Sequence, residues 1–586
     1  MSRVGRLLLW TKAPRTVKRF NRICEDPARA QDRLLRRILR ANAGTEFGRR
    51  HGFAGITTLQ EFQRKAPVCG YEDLEPYIDA AMRGRPGQLT EEPPVLFTTT
   101  SGTTGARKYI PMTREGKRAK SHLTWLWLCG LYRDHPGIVG GRILSVVSPE
   151  VESHAPNGVP CGAESGHAYR TMPGPVRSMY TAPYGVFAIE DYEARYYTLL
   201  RLAAGQDISL IATVNPSTIV LLADRLAEHT EPIIRDVRDG SLSPDVAAPA
   251  AFRSSLHLRP DPERARRLEQ AAASGGGVLR PGLAWPRLAA VGCWKGGTVG
   301  AYLARFPTYF PHDPPVRDLG YYATELRGSV PLRDEGDAGV VAVATNVLEF
   351  RPADDGRDPD GRDLLPVDRL EVGRRYFVHV TNASGLYRYD MNDIVEVAGH
   401  HGRTPLIRFV QKGKGVVSFT GEKLYEVQVL TAVDQALTPL RGRYHFIAAV
   451  AELVDGTPRL VFLVEFDDPS AAGTAPRSWT ASTRRWATRT TSTGPSGGRC
   501  ATAPRSSGRS APASTTATVA AWSRAASAPT ASSRSCASPA TRRSPPSSPR
   551  TGTWSAARPP PPDGGVPSAV ATAHRRAGLD GRRPAR

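Results

Sequence analysis

Residues Thr98 to Thr113 read TTTSGTTGARKYIPMT, a run of hydroxyls around Gly102 and Gly105 that closes on Arg107 and Lys108. Hydroxyls, glycine backbone N–H groups and a cation together suit a polyphosphate, which needs close-approaching donors and charge neutralisation. The stretch follows the apolar VLF (95–97) and precedes the helical pattern REGKRAKSHLTWLWLCGLY, so strand, loop and helix are expected in that order. Its spacing, Gly102-x-x-Gly105-x-x-Lys108, departs from G-x-x-x-x-G-K-[ST], and the Walker-type fold is not implied. A polar surface connector has the same composition, so the loop alone does not decide.

Three other polar segments could share its task. GYYATE (320–325) ends in a carboxylate, which repels a phosphate unless a divalent cation lies between them. Mg²⁺ takes one or two carboxylates plus phosphate oxygens, and Thr324 with Glu325 suits that contact; a solvated acid after a strand is the plainer alternative. In GLYRYDMND (385–393), Asp390, Asn392 and Asp393 either serve hairpin-turn chemistry or present Asp393 as acceptor for two ribose hydroxyls. Gln411-Lys412-Gly413-Lys414 and Gly421-Glu422-Lys423 set cations beside glycines, as a surface turn or as a hinge delivering charge to a phosphate.

The elements that must position these segments read as α/β. RILSVVS (142–148), ISLIATV (208–214) and RLAAVGCW (287–294) are short runs of the buried-strand type. Asn215-Pro216-Ser217 ends the second and opens the helical pattern TIVLLADRLAEH, and GAYLARFP after Gly296-Gly297 is also expected to be helical. GVVAVATNVLEF (339–350) and RRYFVHVTNASGLYRYDMNDIVEVAG (374–399) read as strands and hairpins. No internal repeat is visible.

The 586 residues suffice for two or more domains. The net charge of +22 suggests a nucleic-acid partner until it is located. Residues 471–586 hold 18 Arg, two Asp and no Lys or Glu, so +16 belongs to that segment and +6 to the rest. The segment has no Ile, Phe, Tyr or Met and one Leu, too little apolar surface to offset backbone ordering, so disorder is expected. Its Arg residues are spread thinly and no binding module accompanies them, so no nucleic-acid partner is expected. Ala, Arg, Pro, Gly, Ser and Thr are what GC-rich DNA yields out of frame, and a frameshift near residue 470, just after the strand VFLVEFDD, explains the change. No apolar run is long enough to cross a membrane, and LLLW in MSRVGRLLLWTKAPR is too short for a secretory signal. Seven scattered cysteines without C-x-x-C spacing fit a reducing, cytoplasmic setting.

Taken together, the four polar segments resemble the auxin-responsive acyl-acid amido synthetases of plants and their bacterial relatives, a branch of the adenylate-forming superfamily. The likeness runs from about Arg40 to Asp468. It includes ANAGTEFGRRHGF (41–53), YEDLEPYI (71–78), TTSGTTGARKYIPMT, GYYATE and GLYRYDMNDIVEVAG, with NPSTIVLLADRL (215–226) similar to the helix lining the family's acyl pocket. The resemblance implies a large multi-layer N-terminal domain over 1–410 that binds nucleotide and acyl group. A small, incomplete α+β domain starts at 411–470, and 471–586 form a low-complexity tail. It also implies ATP and Mg²⁺, a small carboxylic acid and an amine or amino acid as reactants, and an acyl adenylate between two half-reactions. Ser101, Gly102, Thr103, Thr104 and Gly105 would surround the phosphates, Tyr322, Ala323 and Thr324 would lie beside the nucleotide, and Asp393 would anchor the ribose. Lys108, Glu325 and Lys423 would be the catalytic charges, with Glu325 the metal ligand.

The sequence departs from the family in two places. Leu326 and Arg327 follow Thr-Glu where the family has Gly, which could crowd or recharge the site. The family's late catalytic lysine has no counterpart after Lys423, the last lysine of the chain. Thioester formation with coenzyme A, or nucleotide binding without turnover, are the alternative outcomes. Resequencing is expected to find the frame interrupted near residue 470, and a frame-corrected chain should exchange pyrophosphate into ATP at least about 100-fold faster than this one. Equal rates, or an unbroken frame supported by intact protein mass, would contradict that expectation.

Overall fold

The structure is a computed structural model that describes residues 3–100, 107–353 and 364–413, and the strand backbones 416–417, 424–425, 444–454, 457–466, 478–480 and 516–522. By internal contacts the chain divides into Met1–Ser523 and Arg524–Arg586, and the second unit lies wholly outside the described residues.

Thr-rich β1 (Leu96–Thr100) pairs antiparallel with β2 (Lys108–Met112), from Leu96 opposite Met112 to Thr100 opposite Lys108. The expected passage from loop straight into helix is thereby corrected. KYIPM is a strand because Ile110 and Met112 bury their side chains while its backbone pairs with LFTTT. The helix begins only at Arg114 and runs to Asp134. Its cap, Thr113, accepts from Gly116 N at 3.0 Å and donates to the Ala383 carbonyl at 3.0 Å. A Cβ on Gly116 would lie 1.9 Å from Ser384 Oγ. This helix start is therefore packed against another loop.

Next come β3 (Arg142–Leu144), then β4 (Ser153–His154) and β5 (Pro160–Gly162), of which β5 returns to pair parallel with β1. β6 (Ile208–Ala212), β7 (Ala290–Gly292) and β8 (Val316–Arg317) join β3 in a parallel sheet of order β3-β6-β7-β8. Both faces are buried, as parallel sheets require. Leu144, Ile211 and Val291 enter a cluster with the helices Tyr192–Ala204, Pro216–Glu228, Thr230–Asp239 and Pro262–Ser274. Ile143, Leu210 and Ala290 face the helices Arg3–Cys24 and Arg114–Asp134. Each of the three expected β runs contains a strand shorter than the run, and the helix after Asn215, which caps Ser217 N at 3.0 Å, stands as expected. GAYLARFP differs: Gly297–Arg305 is 3-10 and only Phe306–Tyr309 is α-helical.

The third sheet is antiparallel. β9 (Ser329–Val330), β10 (Gly339–Val341), β11 (Val347–Pro352), β12 (Leu365–Pro366), β13 (Arg375–Thr381), β14 (Tyr389–His401) and β15 (Thr404–Lys412) are ordered β12-β11-β13-β14-β15-β10-β9. Its apolar face packs on the helices Pro27–Ala41 and Tyr71–Met82. Beyond Lys412, the strands Tyr444–Val454, Thr457–Phe466, Thr516–Trp522 and Ser478–Thr480 form another sheet, adjacent in that order.

Much of GLYRYD is structural. Tyr387 stacks on Phe47 at 4.9 Å and donates to the Leu89 carbonyl at 2.6 Å. Arg388 and Glu349, 3% and 1% exposed at their side chains, approach to 3.2 Å, and Arg388 Nη1 donates to the Gln63 and Ala66 carbonyls. Truncating one partner of such a pair strands the other's charge in the core. Arg388→Met should therefore cost about 3–5 kcal/mol in urea unfolding, and a loss below about 1 kcal/mol would show that water relieves Glu349.

Candidate active site

Open parallel sheets bind ligands beyond the carboxyl ends of their strands, and the chain leaving β8 builds such an edge. Asp318, buried at 3% exposure, accepts from Gly320 N at 2.5 Å and from Lys295 N at 2.6 Å. Gly320 sits at φ +84, where a Cβ would lie 2.5 Å from the Ser329 carbonyl, so this sharp turn requires glycine. Trp294, from the end of β7, donates to the Gly320 carbonyl at 3.0 Å. The chain then folds into a tight hairpin. Gly328 N donates to Tyr321 O at 2.7 Å and Ala323 N to Leu326 O at 2.8 Å, leaving Thr324 and Glu325 at the tip.

Tyr321 joins this hairpin to the antiparallel sheet. Its hydroxyl donates to Asp393 Oδ2 at 2.7 Å, and its ring stacks on Phe409 at 6.2 Å. Asp393, 1% exposed, is preceded by Asn392 at φ +51 and lies directly opposite Lys412 in the β14–β15 register. Lys412 Nζ is 2.5 Å from Oδ1, so each carboxylate oxygen faces one donor, Tyr321 or Lys412. Burial pushes the Asp393 carboxyl above its usual range, against the pull of Lys412 and Tyr321. Glu325, half-buried, is likewise raised by burial, with Asp393 adding to the effect and Lys412 and Lys120 opposing it. Glu325 and Asp393 are thus close enough to repel each other.

Lys120 is the residue that sequence reasoning missed. From the helix Arg114–Asp134 its Nζ donates to the Thr324 carbonyl at 2.6 Å and to Glu164 Oε2 at 2.7 Å. It stands 5.9 Å from the Tyr322 ring centre, with Arg327 at 5.8 Å. In REGKRAKSHL nothing distinguishes Lys120 from Lys117 or Arg118; only the fold selects it. The two residues that replace the family's glycine find places away from the tip. Leu326 is fully buried in the core, and Arg327 donates to Thr124 Oγ1 at 2.7 Å. Burial lowers the Arg327 guanidinium to about 10.

Of this hairpin, Tyr321 and Glu325 meet Asp393, whereas the Tyr322 ring faces Lys120 and Arg327. Lys108 lies at the start of β2, its Nζ 5.0 Å from the Tyr71 ring centre and 3.9 Å from Glu72. Ser101, Gly102, Thr103, Thr104, Gly105 and Lys423 lie outside the described residues. The apolar face of Pro216–Glu228, expected to line an acyl pocket, packs inside the core through Ile219, Leu222 and Leu226. A cavity of about 600 Å³ adjoins Arg114–Asp134, lined by Lys117, Trp125 and His167 among others.

Models of the GH3 family N-terminal domain and the GH3 family central domain match residues 16–315 and 339–412. The chain belongs to the GH3 family. Its hairpin Tyr321–Gly328 falls in the connection between the two matched domains. This GH3 chain is similar to the indole-3-acetic acid-amido synthetase GH3.8 of Oryza sativa subsp. indica, 27% identical over 430 residues and 70% of each chain. It is 26% identical over 455 residues to the jasmonoyl–L-amino acid synthetase GH3.5 of Oryza sativa subsp. japonica, spanning 73% of this chain and 78% of that one. The solved AtGH3.15 acyl acid amido synthetase in complex with 2,4-DB shares the fold at a TM-score of 0.69 and 23% identity, over 78% of this chain and 81% of that one.

Asp318 gives the edge of this site a pH signature. Burial lifts its carboxyl from 3.8 to about 6, with the two backbone N–H bonds opposing. Between those values the folded chain holds a proton that the unfolded chain has released. Stability from this group is therefore greatest below pH 4 and declines towards pH 6, by roughly 3 kcal/mol at 1.36 kcal/mol per unit. The unfolding free energy of the wild type minus that of Asp318→Asn should fall by this amount across the window. A flat difference would mean that Asp318 keeps an ordinary carboxyl.

Proposed function

We propose that this GH3 chain is an ATP-dependent acyl-acid amido synthetase. It converts a small carboxylic acid to its adenylate and passes the acyl group to an amine, an amino acid in the first instance. Family membership sets the reaction class, and the observation that carries the site is Asp393: a buried carboxylate joined to the hairpin by Tyr321 and to Lys412 across the strand pair. A carboxylate has about four acceptor sites, so Asp393 keeps lone pairs for ribose hydroxyls.

In the first half-reaction an acid oxygen attacks the α-phosphorus of ATP and pyrophosphate leaves. Attack of one anion on another calls for charge neutralisation and alignment more than covalent help. Asp393 holds the ribose, and Tyr322 and Ala323 lie beside the adenine. Ser101, Gly102, Thr103, Thr104 and Gly105 surround the phosphates, with Lys108 behind them. Lys412, Lys108 and Lys423 supply charge, and Thr324 presents its hydroxyl at the tip that Lys120 braces. In the second half-reaction the amine attacks the acyl carbonyl and AMP departs.

Glu325 would hold Mg²⁺. The donor set fits an ion bound by one protein carboxylate and otherwise by phosphate oxygens of ATP; among the described residues no group of three or more His, Cys, Asp or Glu could hold a metal. Bound there, Mg²⁺ would neutralise phosphate charge. The proposed setting is cytoplasmic: the five described cysteines are free and buried, and no described helix is long and apolar enough to cross a membrane. Residues 1–410 carry the nucleotide and acyl sites and 411–470 begin the smaller domain.

Calorimetry with ATP tests this directly. A hydrogen bond to a charged acceptor is worth about 1.5–3 kcal/mol, so Asp393→Ala should weaken ATP binding about 10- to 100-fold, and Tyr321→Phe less. Unchanged binding by Asp393→Ala would mean the nucleotide sits elsewhere. Product mass after supplying a labelled acid with ATP and either amino acids or coenzyme A separates amide from thioester formation.

A further inference from the structure

Away from Asp393, a buried histidine–carboxylate pair opens onto the cavity beside Arg114–Asp134. His167 and Glu150 are 7% and 2% exposed, and His167 Nδ1 lies 2.8 Å from Glu150 Oε1. The other carboxylate oxygen is 2.9 Å from Arg170 Nε, an ion pair without hydrogen-bond alignment. An ionised carboxylate can only accept, so Nδ1 carries a proton, and in the neutral ring the lone pair is on Nε2. Nε2 has no hydrogen-bond partner among the described residues, and His167 lines the cavity.

The pair is built by close packing. A Cβ on Gly166 would lie 2.3 Å from the Ser148 carbonyl and 2.5 Å from Glu150 N. Glycine there lets the helix Glu164–Arg170 rest on the Ser148–Glu150 segment and sets His167 against Glu150. One turn earlier on the same helix, Glu164 shares Lys120 with the Thr324 carbonyl, so the cavity wall is tied to the hairpin tip. The charged groups facing the pair are Arg170 on its own helix and Lys117, whose Nζ bonds Thr171 Oγ1 and interacts with Glu150. Arg114 and Arg118, both exposed, add further positive charge to the cavity lining.

Cations suit the carboxylate of an amino acid, but its ammonium group has no lone pair until a proton leaves. The geometry points to His167 as the general base of the amide-forming half-reaction, with an α-amino acid in the cavity and Glu150 as the positioning residue. This rests on the amido synthetase reading above. The ammonium proton passes to His167 Nε2, and the freed nitrogen lone pair forms the C–N bond to the acyl carbonyl. The acyl C–O bond to phosphate breaks, its electron pair leaves on AMP, and the second N–H proton goes to water.

The test supplies the full chain with ready-made indole-3-acetyl adenylate, so that adenylation is bypassed, and with the best acceptor of the twenty amino acids. His167→Asn should lower kcat for amide formation about 100-fold at neutral pH with the amino-acid KM little changed. The deficit should shrink about tenfold per pH unit as free amine replaces ammonium, and Glu150→Gln should shift in the same direction. A purely structural role predicts a loss that is constant with pH, and that result, or an unchanged kcat, overturns the assignment of His167 alone. A wild-type chain that forms no amide overturns the amido synthetase reading and this inference with it.

Discussion

Tyr321 donates to Asp393 across the join between two sheets of different construction, and the candidate site exists only where they meet. The parallel sheet delivers Tyr321 because β8 ends in a turn that Gly320 and Asp318 force. The antiparallel sheet delivers Asp393 and Lys412 because β14 and β15 pair in a register that sets them opposite each other. A shift of one residue in that register would turn Asp393 to the other face. The buried Arg388–Glu349 pair at the start of β14 ties the strand down a few residues before Asp393. Stability and site geometry are thus coupled through the same segment, GLYRYDMND.

The electrostatics of the site are unbalanced in a way that fits its proposed occupant. Glu325 and Asp393 both have carboxyls raised by burial, and each makes the other's charge more costly. Lys412 and Lys120 offset part of this from opposite sides, one from β15 and one from the long helix. A neutral ligand would leave the two carboxylates in conflict. A nucleotide with its cation brings hydroxyls for Asp393 and positive charge for Glu325, so binding relieves a cost that folding leaves in place.

Individual strands and helices were legible in the sequence wherever periodicity and punctuation agreed. ISLIATV followed by Asn-Pro-Ser could hardly be anything but a strand and a capped helix. KYIPM was harder, because a five-residue strand between a polar loop and a long helix leaves no room for a pattern to declare itself. Leu326 and Arg327 illustrate a different limit: their departure from the family pattern is visible in sequence, but only burial tells that both turn away from the hairpin tip. Lys120, Asp318 and the His167–Glu150 pair had no local signal at all. Each matters through a partner that only the fold supplies, 204 residues away for Lys120 and 17 for His167, and a single side chain carries no mark of such a partner.

The two proposed half-reactions make opposite demands on charge. Attack on a phosphate needs fixed positive charge, and Lys412 and Lys120 both act on Glu325 at the hairpin tip. Attack by an amine needs a lone pair that fixed cations cannot provide, and a histidine among cations is suited to it only if something holds its second proton. Glu150 does so from within the core, where Gly166 permits the necessary approach. Lys120 spans the two regions, bonded at once to the Thr324 carbonyl and to Glu164 on the histidine's helix.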